Sequence, residues 1–147
     1  YRLLVTGPRD CSDHQLVHRV LHEEVALVAG KRPIILVHGA CPSGVDKIAD
    51  AWGWSMHELL NLGVERHPAM NHPTENFGSW PAAGPNRNEF MVTKGADKCV
   101  AFLAPCSKPF CQRPGNHWSH GTSNCMSQAK KAGIEVREVH LLAAAQV

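Results

Sequence analysis

Short apolar runs that recur between helical patterns constrain this chain more than any other feature. RLLVT (Arg2 to Thr6), PIILVHG (Pro33 to Gly39), VERHP (Val64 to Pro68), KCVAFLA (from Lys98) and EVREVHLL (from Glu135) each have strand length and are bounded by turn residues. Between them lie helical periodicities. The first follows Ser12, with Gln15 completing a capping box, presents Leu16, Val17, Val20, Leu21, Leu27 and Val28, and stops at Gly30. The second spans Val45 to Gly63, with Ile48, Ala49, Trp52, Met56, Leu59 and Leu60 inward. NRNEFMVTKGA supplies a third and GTSNCMSQAKKAG a fourth. Strands alternating with helices imply βαβ units. The expectation is an α/β, Rossmann-like, doubly wound and mainly parallel five-stranded sheet with helices on both faces.

At 147 residues the chain is expected to form a single domain, residues 1–147, around one core. A formal net charge of +2 is too small to argue for a membrane surface and disfavours nucleic acid. No apolar stretch approaches the roughly 18 residues of a membrane span, and no signal-peptide pattern opens the sequence. Three of the cysteines, Cys11, Cys41 and Cys99, lack framework spacing. Reduced thiols in a cytoplasmic protein are therefore expected.

In a sheet of this kind ligands sit beyond the carboxyl ends of the strands. TGPRD follows the first strand, HGACPSGVD follows the second, and SHGT opens the last helix. Each joins glycine to small or hydroxyl residues where a strand passes into a helix. Free helix amides there suit an anion, although a glycine after a strand also serves as a plain turn. HGACPSG is not the dinucleotide fingerprint, and it lacks the lysine of a P-loop. A long loop, NHPTENFGSWPAAGP, leads to Arg87 and Asn88. Its Trp80 has two readings, a lid anchor or a stacking platform for a base.

LLVTGPRD, VHGACPSGVDKIADAW, AAGPNRNEFMV and HGTSNCMSQAKKAGIEV, in this order and spacing, resemble the SLOG superfamily and its YspA/YpsA-related branch. The resemblance implies a Rossmann-like fold that binds a nucleotide or a nucleotide-derived ligand. It puts Thr6, Gly7, Arg9 and Asp10 at a first ligand loop and Gly39, Gly44 and Asp46 at a second. Arg87 and Asn88 fall on the third helix, and Gly121 and Thr122 at a last phosphate turn. Arg9 and Arg87 would offer paired donors to phosphate. Asp46 would accept from a ribose hydroxyl or cap its own helix. Related folds also imply a homodimer paired through helices.

The superfamily includes the lonely-guy phosphoribohydrolases, whose motif resembles PGGxGTxxE, and DNA-processing proteins. Here GTSNC puts Cys125 where that motif has glutamate. Cleavage of an N-glycosidic bond needs a carboxylate, and Glu89 and Asp10 are the nearest substitutes. The expected role is therefore ligand binding, as a sensor or accessory protein. An N-glycosidic hydrolase of nucleoside monophosphates and a DNA-processing accessory are the alternatives, and no catalytic residue is assigned.

One segment runs into the last of these motifs, because its His120 directly precedes Gly121 and Thr122. Cys106-x4-Cys111-x5-His117-x2-His120 gathers four borderline-soft ligands in a Pro/Gly-punctuated loop at about 105–120. The cysteine gap fits zinc spacings, while the histidine gap is tighter than usual. A structural Zn would offset the ordering entropy of an insert with few apolar residues. A Cys106–Cys111 disulfide, a metal-free segment, direct contact of His120 with a phosphate, and Cys125 as an alternate fourth ligand stay open. His14, His18 and His22 read as a solvated helix stripe, and His67 and His72 as turn residues.

Overall fold

The computed structural model describes residues 1–141. The strands are β1 (Arg2–Thr6), β2 (Ile34–His38), β3 (Leu62–Arg66), β4 (Lys98–Leu103) and β5 (Glu135–His140). The helices are α1 (His14–Ala26), α2 (Val45–Ser55), the single-turn α3 (His57–Leu60), α4 (Ala83–Thr93) and α5 (His120–Lys131). All five strands are parallel in the order β3-β2-β1-β4-β5, so the sheet is more uniform than the mainly parallel one expected. Leu142 and the AAAQV tail lie outside the described residues.

Strand alternation divides the core between the two faces. Leu3, Val5 and Leu36 point to the side covered by Val17 and Leu21 of α1 and Ile48 and Trp52 of α2. Leu4, Val37 and Cys99 point to the side covered by Met91 and Val92 of α4 and Cys125 and Ala129 of α5. The chain winds outward from β1 through β2 to β3, then returns to place β4 on the other side of β1. That reversal puts the crevice of a doubly wound sheet between the β1 and β4 carboxyl ends.

Several element boundaries differ from the sequence reading, each for a local reason. Asp13, not Ser12, caps α1: its carboxylate accepts from the Leu16 amide at 3.1 Å. Because α1 ends at Ala26, Leu27 leaves the apolar stripe and is 65% exposed. The helix expected over Val45 to Gly63 breaks at Met56, whose φ of −99° and ψ of 0° lie in the bridge region. The break turns Leu59 outward, and left-handed Asn61 then ends α3. The third strand begins at Leu62, two residues before Val64. α4 starts at Ala83 because Pro85 is tolerated in a first turn. α5 begins one residue before the expected Gly121.

Candidate ligand edge and metal centre

Three glycines at the β1 and β2 ends are explained by close packing within the protein. A β-carbon on Gly7 would lie 2.4 Å from the Val45 side chain, and one on Gly39 would lie 2.6 Å from Arg87 Nη1. On Gly44 it would meet the Pro8 carbonyl oxygen at 2.2 Å, and Gly44 also has a φ of +75°. The Val45 amide donates to Pro8 O at 3.2 Å, so the β1 and β2 loops are fastened to each other. Thr6 is buried at the end of β1. Asp46 is buried and accepts from the Cys41 amide at 3.2 Å. It closes the β2–α2 loop, while Gly44 is the N-cap.

Arg87 and Asn88 brace this edge from α4. Both are buried. Arg87 Nη1 donates to the carbonyls of Gly39 and His67, and Nε donates to Asn88 Oδ1 at 2.9 Å. Asn88 Nδ2 in turn donates to Gly121 O at 3.3 Å and Asn124 Oδ1 at 3.1 Å. Gly39 is thereby linked through two side chains to the first turn of α5. Much of the donor capacity that the resemblance gives Arg87 for phosphate is spent on this brace.

The α5 turn has room in front of it. Gly121 is exposed, and nothing lies within 4 Å of where its β-carbon would be. The first backbone bond of α5 runs from the Ser123 amide to Ser119 O at 3.0 Å, so the Gly121 and Thr122 amides precede it. The N-cap, Ser119, takes no backbone amide; its hydroxyl donates to Thr122 Oγ1 at 3.0 Å. Arg9 is exposed, with its guanidinium 5.3 Å from the centre of the Trp80 ring. Trp80 itself is 51% exposed, and a β-carbon on Gly84 would lie 2.9 Å from its ring. Asp10 accepts from Ser107 Oγ at 2.9 Å.

The four Cys/His residues converge. One ligand atom from each of Cys106, Cys111, His117 and His120 falls within 4.8 Å of all the others. His120 Nε2 lies 3.5 Å from Cys106 Sγ and 3.4 Å from Cys111 Sγ, and His117 Nε2 lies 3.5 Å from Cys111 Sγ. The two histidine Nε2 atoms are 3.0 Å apart. His117 Nδ1 sits 2.9 Å from Gly115 O, so Nδ1 carries the proton and Nε2 presents its lone pair. The loop closes on itself through a Pro105–Trp118 bridge, with the Cys106 amide donating to His117 O at 2.8 Å. This cluster can hold a metal ion. Both cysteines are free thiols, with no disulfide between them.

Cys125 is not part of this cluster. It is fully buried beside Cys99 in the α4–α5 half of the core. The hydrogen bond to Cys125, together with burial, holds the Cys99 thiol well above its ordinary range. Glu89 is exposed on α4. His22 leaves the solvated stripe to accept a hydrogen bond from Trp52 Nε1 at 3.0 Å.

A polar chain under the long loop escaped the sequence reading. His72 Nδ1 accepts from the Thr74 and Glu75 amides, so its Nε2–H donates to His67 Nδ1 at 2.9 Å. His67 Nε2–H then donates to Glu65 Oε2 at 2.8 Å, and Glu65 pairs with Arg2 through two bonds. The Arg2 guanidinium, helped by His67, holds the Glu65 carboxyl down at about 2. Burial lowers His67 despite its carboxylate partner. His67 is thus a buried latch, not a turn residue. On β2, His38 accepts from the Ala40 amide and reaches Asp50 at 2.8 Å, while Arg66 pairs with the same Asp50.

Two grooves flank the edge. One of about 520 Å³ runs between α1 and α2 past Cys11, His14, Gly44, Lys47 and Trp52. The other, about 360 Å³, lies between the long loop and α4 beside Glu75, Phe77, Glu89 and Phe90. Neither includes Gly121 or Thr122 in its lining. Among the described residues, no helix is long and apolar enough to cross a membrane.

Comparison with known proteins agrees with this architecture. The model of the YspA, cpYpsA-related SLOG family matches residues 1–67, which carry β1 through β3 and both of the mutually fastened loops. The chain is also 38% identical over 136 residues to the "Gene 61 protein" of Mycobacterium phage D29, covering 92% of this chain and 93% of that protein. No solved structure matches. With its parallel sheet, its reversal between β1 and β4, and these matches, the chain belongs to the YspA, cpYpsA-related SLOG family.

Proposed function

We propose that this protein binds a nucleotide or another phosphorylated nucleoside at the carboxyl edge of its sheet, with the phosphate on the first turn of α5. The observation that carries this reading is Gly121. Where Gly7, Gly39 and Gly44 are consumed by packing, Gly121 faces open space beside amides that lack intrahelical partners. Such amides, at the positive end of a helix, favour a negative group. Arg9 supplies an exposed cation at the neighbouring loop, and the exposed part of Trp80 supplies a stacking surface for a base. Thr6, Gly7 and Asp10 shape the β1 side of the site, and Gly39, Gly44, Asp46, Arg87 and Asn88 hold its frame. Binding, not hydrolysis, is the role this site supports, because Cys125 is buried and no carboxylate stands in its place.

The metal in this reading is a structural zinc. A tetrahedron with Zn–S of about 2.3 Å and Zn–N of about 2.0–2.1 Å has N···S edges of about 3.5 Å. The three N···S separations of 3.4–3.5 Å fit that figure. With two thiolates and two imidazoles bound, no position remains for a reactive water, so the ion holds the loop.

Titration calorimetry with nucleoside mono- and diphosphates tests the binding role. Arg9→Ala, a surface change that leaves the fold intact, is expected to weaken binding about 10-fold, the worth of one charge-assisted contact. Undiminished affinity in that variant removes Arg9 from the site, and absence of binding by the parent removes the reading. Chromatography after long incubation with nucleoside monophosphates is expected to show no free base.

A single-stranded nucleic acid is the second reading, favoured by one feature of the metal loop. No Asp or Glu occurs between Asp97 and Glu135, and Lys108 and Arg113 flank Phe110, which is 99% exposed. Cations around an open aromatic ring suit a stacked base and its phosphates. Steeply salt-dependent binding of an oligothymidylate, lost in Phe110→Ala, would select it over a free nucleotide.

A further inference from the structure

The metal loop reaches the ligand edge by two separate routes. His120 is both a member of the Cys/His cluster and the first residue of α5, directly before Gly121 and Thr122. An ion on its Nε2 would therefore fix the start of the helix whose amides face the open space. Ser107, directly after Cys106, donates to the Asp10 carboxylate on the β1 loop, 97 residues away in sequence. The two routes arrive on opposite sides of the crevice between β1 and β4.

Little else holds the loop in place. Between Pro105 and Trp118 it has one isolated bridge and few backbone bonds, and Phe110 adds no packing. Burial that elsewhere stabilises a segment is missing here, so its order depends on the four ligands converging. Loss of the ion would release four side chains whose ligand atoms crowd within 4.8 Å. It would also free the Ser107 tether and the His120 end of α5 together.

Resting on the nucleotide reading above, we propose that metal occupancy of Cys106, Cys111, His117 and His120 controls the affinity of the α5 turn for its anionic ligand. The protein is then a metal-dependent binder, in which zinc and nucleotide each strengthen the other. Two ligands that order the same segment couple in this way, because the first to bind pays the ordering cost for both. The coupling is reciprocal, so one factor describes both directions.

Calorimetric titration of AMP into the zinc-loaded chain and into chelator-stripped chain tests this, with circular dichroism confirming that both are folded. The expected result is a 5- to 150-fold weaker affinity without zinc, the usual range of such couplings. Competition with a chromophoric chelator is expected to show zinc held more tightly by the same factor at saturating AMP. Ser107→Ala, which replaces none of the four metal ligands, is expected to keep one zinc per chain and still lose part of the AMP affinity. Should stripping unfold the chain, this loaded variant and the chelator competition decide the question alone. Equal AMP affinity in loaded and stripped protein, or zinc affinity indifferent to AMP, overturns the coupling and leaves the nucleotide site standing. AMP binding to neither form overturns the nucleotide reading and the coupling with it.

Discussion

The guanidinium of Arg87 occupies the space that a β-carbon on Gly39 would need, with Nη1 2.6 Å from that point. The glycine and the arginine are two halves of one joint, closed by the bond from Arg87 to the Gly39 carbonyl. Gly39→Ala should displace a buried, bonded side chain and cost about 1–3 kcal/mol. Arg87→Ala should cost a similar amount by leaving the carbonyls of Gly39 and His67 without their donor. Chemical denaturation of both variants checks this. A loss of ligand binding in Arg87→Ala would then report on the frame as much as on the site.

Gly44 and Gly121 should behave as opposites. An added β-carbon at Gly44 meets backbone, which cannot swing aside, and the φ of +75° adds strain. Gly44→Ala should therefore lower stability by about 3 kcal/mol. Gly121→Ala has open space and a helical setting, and should change stability by less than about 0.5 kcal/mol. Thermal melts of the pair give the comparison directly.

The polar chain beneath the long loop sets an acid limit on stability. Glu65 is held at about 2 when folded, well below its ordinary value of 4.5, so its contribution is present above about pH 4.5. It is lost as pH falls from there towards 2. His67 is lowered by burial, so the unfolded chain binds a proton more readily than the folded one. Stability should accordingly rise with pH up to about 6.5 and then level off. Urea unfolding between pH 3 and 8 should show both slopes. Glu65→Gln should remove most of the lower one and disturb the His67 latch.

Cys125 should resist conversion to the glutamate of the hydrolase motif. The site is fully buried against Cys99, Met91 and Val92, and the Arg87 guanidinium whose charge reaches it is already bonded to the Gly39 and His67 carbonyls. Cys125→Glu should either protonate its carboxyl or unfold the chain, at a cost of several kcal/mol. It should release no base from a nucleoside monophosphate. A folded variant with hydrolase activity would show that the pocket reaches deeper than the fold implies.

How much of this was legible in the sequence depended on the range of each interaction. The strands and their order of appearance followed from local apolar runs such as RLLVT and KCVAFLA, because burial of both sheet faces demands them. The Cys106–His120 cluster was legible because all four ligands lie within one short segment. Leu27 and Leu59 were misassigned because a helix end and a bridge-region kink at Met56 interrupt periodicities that look continuous. The Arg2–Glu65 pair that anchors His67 left no trace, since Arg2 and Glu65 are 63 residues apart and meet only through the sheet. The structural use of Gly7, Gly39 and Gly44 was hidden for the same reason. A glycine that admits an anion and one that admits a neighbouring loop have the same letter.

Backbone amide shifts in ¹⁵N-labelled, zinc-loaded protein titrated with AMP test the central claim most directly. The account predicts that the largest changes fall on Gly121 and Thr122, with smaller ones over Gly7 to Asp10. Shifts confined to the Phe77–Glu89 groove, or none at millimolar AMP, would contradict it.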